Sequence, residues 1–476
     1  PRHNRTRIMA NEVTKLNGIA IGSITKVNGI TDANLSKING QEFTGTVDIA
    51  VVTSYTQVAA AGAYSCNTTY DEDNNYVYVQ YPRNGGGGAA VIGTFNSTDQ
   101  DIDWGSEQTI ESSNAFSGNS CDYDKYNDRV WTTWIGGGDN TIYARCGTIN
   151  GPGTGDSSAP KTISWGNTFT IQAGQATTGN YNQGLLQQGL AVDQSTGKCL
   201  VVWNSAADNI SGTNVSNHHP TGVILTVNTS DNSITAGSQV RMATGGSGQT
   251  FPSIKCHYDP DNTEWVAVTD ANGSSTGIYA LRITNSSGNP AAANQTQLTS
   301  NSGFSLQGDG SGSHNATNGA AGGRYGGHWM VYDTKSDHFI VASSTNSSST
   351  APKLFAFENT GSGINWDTTG IAVSHGTTIS QSGKGGTIAY SHARNRFATH
   401  GQDGDEKLEI FSYDASGGFT SHNSSSLITI STDDDPFFRG GASMQDMSAF
   451  ANGAVIIVGT DYDSRYPYYI LLEMGG

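Results

Sequence analysis

Short apolar segments separated by turn-forming residues recur along most of this chain. Beyond residue 60, an apolar strand leads into an acidic turn of about four residues, and a second apolar strand follows. This hairpin unit returns seven times. The copies begin at Cys66, Cys121, Gly189, Ile254, Trp329, Thr387 and Met447. Regular recurrence of one hairpin predicts a repeat architecture.

Two further segments with strand character follow each hairpin. One is apolar, as in TIYARCGTI from Thr141, and the next is more polar, as in DWGSEQTI from Asp103. Four antiparallel strands per unit, repeated around a ring, are typical of a β-propeller. The sequence therefore predicts an all-β fold built as a seven-bladed β-propeller.

The two ends of this region predict how the ring closes. The seventh unit stops at Gly476, one strand short, whereas residues 47–55 precede the first unit without partners of their own. Pairing of this strand with residues 468–474 would complete the last blade and remove exposed sheet edges. We predict a propeller domain over 46–476, with strand 47–55 completing the last blade.

An aspartate stands at the head of the hairpin turn in five of the seven units. A carboxylate that accepts from the backbone two residues further on explains this preference. Ser391 and Phe450 replace it in the last two units, and we expect the serine to cost little stability. The five aspartates are Asp71, Asp124, Asp193, Asp259 and Asp333.

Residues 1–45 contain a different and shorter repeat. Three eleven-residue segments, 13–23, 24–34 and 35–45, each carry a lysine and an aliphatic residue before Asn-Gly. Asn-Gly favours two-residue turns with positive φ, so each copy predicts a small hairpin. We interpret residues 1–45 as a separate docking segment, because nothing in the repeats is typical of a catalytic centre.

Composition narrows the classes of function. The 476 residues are 35% hydrophobic and 14% charged, and the formal charge of −17 disfavours a nucleic-acid partner. Five cysteines are a poor disulfide framework, so we expect reduced and mostly buried thiols. No segment approaches the roughly 18 apolar residues that span a bilayer, and we expect no membrane insertion.

The sequence gives only weak indications of metal sites. Asp71, Asp73 and Asn75 begin like a calcium loop, as do Asp259 and Asp261, but neither continues with the glycine and glutamate of an EF-hand. Because equivalent turns recur, ordinary turn chemistry explains them better. The acidic triplet 433–435 and the pair 218–219 of adjacent histidines are further candidates, and a solvated loop is the simpler interpretation of both.

Catalytic signatures are missing, so we assign no catalytic, cofactor-binding or metal-binding residue and expect no cofactor. The recurring tryptophans could stack on sugars, although packing between blades explains most of them better. They are Trp104, Trp131, Trp165, Trp203, Trp265, Trp329 and Trp366. Long polar insertions at 206–221, 300–327 and 433–444 are the stronger candidates for recognition.

The Asn-Gly array resembles the short repeats at the start of structural proteins of marine tailed phages, particularly cyanophages. The likeness rests on residues 15–19, 26–30 and 37–40 and covers about a tenth of the chain. It implies a virion appendage, such as a tail fibre, tail tip or capsid-surface protein, that is assembled in the host cytoplasm. Its implied partners are other virion proteins, through residues 1–45, and a host-surface glycan.

The sequence leaves three alternative functions open. A polysaccharide-degrading hydrolase or lyase could use the same scaffold, and a bacterial lectin or adhesin could share its composition. A purely architectural fibre subunit is the third. Propellers support both binding and catalysis, so the fold does not separate these classes. Symmetric virion positions also predict a homo-oligomer.

Overall fold

The computed structural model is an all-β ring of seven blades, as predicted, and none of its described residues is helical. The described residues are 15–16, 19–20, 26–27, 30–31, 37–38, 41–42, 49–59, 66–71, 73–83, 86–96, 101–112, 116–136, 141–151, 161–172, 188–205, 219–242, 254–271, 277–299, 304–305, 330–342, 344–345, 353–367, 370–372, 387–403, 405–423, 428–431, 446–449, 454–460 and 466–474.

Each blade is an antiparallel sheet whose strands are numbered here from the centre of the ring outward. The first strands, in blade order, are Asn67–Asp71, Phe116–Asp124, Gln188–Val192, Ile254–Asp259, Met330–Asp333, Thr387–Ser391 and Asp446–Ala449. Neighbouring first strands contact one another around the full circle, and the seventh contacts the first. The seven predicted units are therefore the seven blades.

The second and third strands are the apolar centre of each blade. The second strands are Tyr76–Pro82, Arg129–Gly136, Cys199–Ser205, Glu264–Ala271, His338–Ala342, Arg396–Asp403 and Ala454–Thr460. The third strands are Gly88–Asn96, Ile142–Asn150, His219–Asn228, Gly277–Ser286, Lys353–Asn359, Asp405–Asp414 and Pro467–Met474.

The fourth strand, predicted as the more polar one, is present and is broken in two in five blades. The pieces are Asp101–Trp104 with Gln108–Glu111, Thr162–Trp165 with Phe169–Gln172, Ser233–Ala236 with Val240–Arg241, Ile364–Trp366 with Ile371–Ala372, and Gly418–Ser421 with Ile428–Ser431. Blade 4 has a single bulged strand, Asn289–Thr299. The break follows from the polar composition there, because an outer strand pairs on one side only.

Strand Ile49–Gln57 supplies the fourth strand of blade 7, which confirms the predicted closure. It pairs antiparallel with Pro467–Met474, from Ile49 opposite Met474 to Gln57 opposite Tyr468. The strand lies two residues further along the chain than predicted. The backbone N–H of Val58 extends the ladder by donating to Pro467 O at 2.8 Å. Closure of the ring therefore depends on residues that are distant in sequence.

The hydrophobic core is divided into seven clusters, one at each boundary between neighbouring blades. Blade 3 shows how its second strand serves two of them. Val201 and Trp203 pack toward blade 2, whereas Leu200 and Val202 pack toward blade 4. Both faces of the sheet are thus buried, which explains why the strand is a continuous apolar run rather than an alternating one.

Three short hairpins are also described before the ring. Lys15–Leu16 pairs with Ile19–Ala20, Lys26–Val27 with Ile30–Thr31, and Lys37–Ile38 with Gln41–Glu42. Each pairing leaves two residues between its strands, and these are the three Asn-Gly pairs. The identical spacing matches the predicted two-residue turns. The boundary of the docking segment at residue 45 stays a prediction.

Candidate functional site

The order of the strands gives the ring two unlike faces. Turns between first and second strands, and connections between third and fourth strands, lie on one face, which we call the turn face. The other two kinds of connection begin and end on the opposite face, which we call the connection face. The three long insertions predicted for recognition all join strand ends on the connection face. The turn face has short turns, with 151–161 as its long connection.

On the turn face, the aspartate at the head of each turn acts as a local acceptor. Asp259 Oδ1 accepts from the backbone N–H groups of Asp261 at 3.0 Å and Asn262 at 3.1 Å. Its Oδ2 accepts from Asn262 Nδ2 at 3.0 Å and from Asn359 Nδ2, on the next blade, at 2.8 Å. Asp71 and Asp193 accept from backbone groups in the same way. The predicted turn chemistry is present.

The fourth residue after each turn head adopts a left-handed conformation. In six blades its φ lies between 48° and 70°. These residues are Asn75, Asp128, Gly197, Thr263, Asp337 and Asn395. Asn, Asp and Gly tolerate this region best. The residue types at this position therefore indicate the left-handed conformation in the sequence, which the turn heads alone do not.

The calcium hypotheses find no support in this geometry. Asp71 and Asp259 direct their carboxylate oxygens at N–H donors of their own turns. Across the described residues, no group of three His, Cys, Asp or Glu side chains lies close enough to hold a metal ion. Residues 433–435 lie outside the described residues. His219 begins a third strand opposite Ser205, rather than lying in the connection, and its side chain and His218 are not described.

A tyrosine directly before the turn head links neighbouring blades at four boundaries. We call this contact a tyrosine clasp. Tyr332 of blade 5, for example, donates to Asp261 Oδ2 of blade 4 at 2.9 Å and contacts Asp337 Oδ1 of its own turn. The four clasp tyrosines are Tyr123, Tyr258, Tyr332 and Tyr390, which reach the turns that contain Asp71, Asp193, Asp261 and Asp333.

Burial and acidic neighbours perturb these groups. Burial, together with the Asp193 carboxylate, raises the pKa of Tyr258 to about 12, and a bond with Ser195 opposes that rise. Burial also raises the pKa of the Asp71 carboxyl, while its bonds from Asn74 and Tyr123 oppose that rise and the Asp128 charge adds to it. The turn face therefore has carboxyl groups that bind protons more readily than exposed ones do.

A buried ionic network lies at the boundary between blades 4 and 5. Arg282 binds Glu264 through two nitrogens, with Nη2 to Oε1 at 2.7 Å and Nε to Oε2 at 3.0 Å. Asn359 of blade 5 donates to Glu264 Oε2 at 3.0 Å, and Arg282 also donates to Gly361 O. The charged side chains are paired and hydrogen-bonded, so the network is a structural contact between blades.

Toward the connection face, a buried network of amides and hydroxyls joins blades 1 and 2. Asn119 Oδ1 accepts from Gln80 Nε2 at 3.2 Å and from Asn67 Nδ2, and Thr132 donates to Gln80 Oε1 at 2.6 Å. Val202 and Val268 occupy the position of Gln80 in blades 3 and 4. The boundary between blades 1 and 2 is therefore polar where valine stands in blades 3 and 4. The sequence does not predict it, because a single glutamine in an apolar run carries little signal.

The recurring tryptophans pack as predicted. Trp131, Trp203 and Trp265 are fully buried, and Trp104, Trp165 and Trp366 pack against the boundary clusters. A Cβ on Gly93 or Gly147 would lie 2.9 or 2.7 Å from the ring of Trp104 or Trp165, so glycine makes room for both indoles. Trp329 lies outside the described residues. These rings are core groups, and they are not placed as a sugar platform.

All five cysteines are buried and free, which confirms that prediction. Burial raises the pKa of the Cys146, Cys199 and Cys256 thiols, so these groups stay protonated and unreactive. The part of the chain that the structure describes contains no helix long and apolar enough to cross a bilayer.

Comparisons with known proteins find neither a matching family model nor a matching curated protein. Solved structures resemble the fold at low identity. A Bacteroides fragilis protein provisionally assigned as a 6-phosphogluconolactonase is 11% identical over 78% of this chain and 85% of its own, with a TM-score of 0.46. The periplasmic gluconolactonase of Pseudomonas aeruginosa is 10% identical over 75% and 83%, also at 0.46. A Lactobacillus plantarum protein is 12% identical over 86% and 95%, at 0.44.

Enzymes are therefore among the proteins named in this comparison. The identities are too low to transfer an activity, a substrate or a residue. The strand pairing of this chain shows its architecture, and only its own residues bear on its chemistry.

Proposed function

We propose that the chain is a structural attachment protein of a tailed-phage virion, without catalytic activity. In this proposal residues 1–45 dock to other virion proteins, and the propeller presents its connection face to a host-surface glycan. A tail fibre, tail tip or capsid surface is the location, and the protein acts as a homo-oligomer. The resemblance of the Asn-Gly array supports the virion location.

One observation carries the proposed orientation. Strand Ile49–Gln57 enters the ring at the turn face, because Ile49 pairs with Met474 at the end of a third strand. The chain from the three hairpins therefore reaches the propeller on the face opposite the long connections. An anchor on one face and variable connections on the other is an arrangement suited to attachment and recognition.

The location is tested by mass spectrometry of purified phage particles, with and without residues 1–45. We expect the full chain in the particle fraction and the truncated chain free in the lysate as a folded propeller. A full chain that is never found in particles contradicts the virion location.

The orientation is tested by cell binding of the purified full chain. Replacing 206–218, on the connection face, with a short Gly-Ser linker should lower binding at least tenfold. The matched control replaces 152–160, within the long connection on the turn face, and should bind like the unchanged chain. Loss of binding in the control alone would reverse the proposed orientation, and release of sugar fragments during binding would contradict the non-catalytic role.

A further inference from the structure

Two of the tyrosine clasps place one phenol between two carboxylates. Between blades 4 and 5, Tyr332 Oη lies within hydrogen-bond distance of Asp261 Oδ2 at 2.9 Å and of Asp337 Oδ1. Between blades 1 and 2, Tyr123 donates to Asp128 Oδ1 at 2.9 Å, and its hydroxyl also approaches the Asp71 carboxylate. We call these the two-carboxylate clasps.

The single hydrogen of the phenol cannot serve both carboxylates of such a clasp. A phenol has a single hydrogen, and an ionised carboxylate has none to donate. If both carboxyl groups are ionised, Tyr332 can satisfy only one of them, and two negative charges face each other across the boundary. One additional proton on the carboxyl pair removes the repulsion between the two charges.

The surroundings of both clasps favour that proton. Burial raises the pKa of Asp337, its bond with Tyr332 opposes the rise, and the Asp261 and Asp259 carboxylates add to it. The charged and titratable groups around this clasp are Asp259, Asp261, Asp337, the His257 ring at 6.2 Å from Tyr332, and the Glu264–Arg282 pair. Around the other clasp they are Asp71, Asp128, Tyr76, Arg129 and the Asp73–Lys125 pair at 3.5 Å.

The chain itself provides a contrasting clasp. Between blades 5 and 6, Tyr390 approaches the Asp333 carboxylate and donates to Asn395 Oδ1 at 3.3 Å. Asn395 stands at the position of Asp128 and Asp337, with the same left-handed backbone. An amide carries no charge, so this clasp holds a single carboxylate and needs no additional proton to remove a repulsion.

We propose that the two-carboxylate clasps are proton-dependent contacts that hold blades 1 and 2, and blades 4 and 5, together more tightly in mild acid than at neutral pH. The Asn-containing clasp between blades 5 and 6 does not share this dependence. The propeller thus has two boundaries that loosen as the pH rises.

The direction follows from linkage. A carboxyl group whose pKa is raised by folding holds a proton that the unfolded chain releases. Its contribution to stability is fully present below the unfolded value of 3.8 and is lost as the pH rises through the raised folded pKa. Carboxylates in ordinary salt bridges have the opposite pH dependence, because their contribution to stability is lost as the pH falls. Mutation of the clasp carboxyl groups therefore separates the two contributions.

The test exchanges the residues that the chain already uses at this position. Asp337→Asn and Asp128→Asn should each raise the melting temperature at about pH 8, by about 1–3 °C, and raise it less at about pH 3.5, below the unfolded value of 3.8. Infrared spectra at the lower pH should show a weaker band of protonated carboxyl groups in Asp337→Asn than in the unchanged chain.

The reciprocal variant is the control. Asn395→Asp creates a third two-carboxylate clasp and should lower the melting temperature at about pH 8 more than at about pH 3.5. If the Asn variants change stability equally at both pH values, or if Asn395→Asp has no pH-dependent effect, the proposal is overturned. Each variant replaces a partly or fully exposed side chain at the same backbone conformation, so folding is retained.

Discussion

At the scale of single residues, the turn aspartates stabilise the ring through the donors that they satisfy. Asp259 is buried and accepts from two backbone N–H groups and two asparagine side chains. Ser391 stands at the same position in blade 6, and its buried Oγ has no partner in the described part of the chain. The same position therefore has very different energetic importance in the two blades.

Replacement of these two residues checks that difference. Asp259→Ala leaves buried donors unsatisfied and should lower the free energy of unfolding by about 3 kcal/mol, measured by chemical denaturation. Ser391→Ala removes a hydroxyl that bonds to nothing described and should change it by less than about 0.5 kcal/mol. Equal losses in the two variants would show that the turn position matters through backbone conformation alone.

Much of the turn chemistry could be predicted from sequence, because its hydrogen bonds are local. Asp71 accepts from residues two and three positions later, and such contacts depend only on the order of residues. The clasp of Tyr332 to Asp261 could not be predicted, since it joins residues 71 positions apart through the packing of two blades.

At the scale of strands and blades, a buried ion pair that also bonds to the next blade matters more than an exposed one. Arg282 and Glu264 have side chains that are 4% and 11% exposed, whereas Arg83 and Glu107 are 24% and 30% exposed. Water screens the second pair, and removal of one partner from the first leaves a charge in the protein interior.

Alanine at each arginine tests this contrast. Arg282→Ala should destabilise the protein by about 3–5 kcal/mol, because Glu264 and the Gly361 carbonyl lose their donor. Arg83→Ala should cost less than about 1 kcal/mol. Denaturant titration of both variants gives the comparison, and similar losses would contradict the structural role of the buried pair.

The sequence predicts the positions of the inner strands of each blade well and those of the outermost strands less well. Inner strands are buried on both faces, so their apolar runs are long and distinct. The fourth strands are partly exposed and paired on one side, and the backbone bonds of Gly105 to Ile92 O and of Gly166 to Cys146 O, where two of them break, are not evident from the pattern.

At the scale of the whole molecule, closure depends on one strand from the start of the chain. Removal of residues 1–57 would expose the edge of Pro467–Met474, whereas removal of 1–45 leaves the pairing strand in place. We expect the longer deletion to lower the melting temperature and to cause concentration-dependent association, because an open edge pairs with other chains. The shorter deletion should melt like the full chain. Light scattering and calorimetry measure both, and an equally stable longer deletion would contradict the closing role.

The sequence alone determined the number of blades, the turn heads, the buried thiols and the strand that closes the ring. Those features follow from local hydrogen bonding and from the burial of apolar runs, which depend on residue order. Only the tertiary structure decided which turns touch, which carboxylates share a phenol, and on which face the long connections open. These are distances between blades, and they exist only after sheets that are far apart in sequence have packed around a common axis.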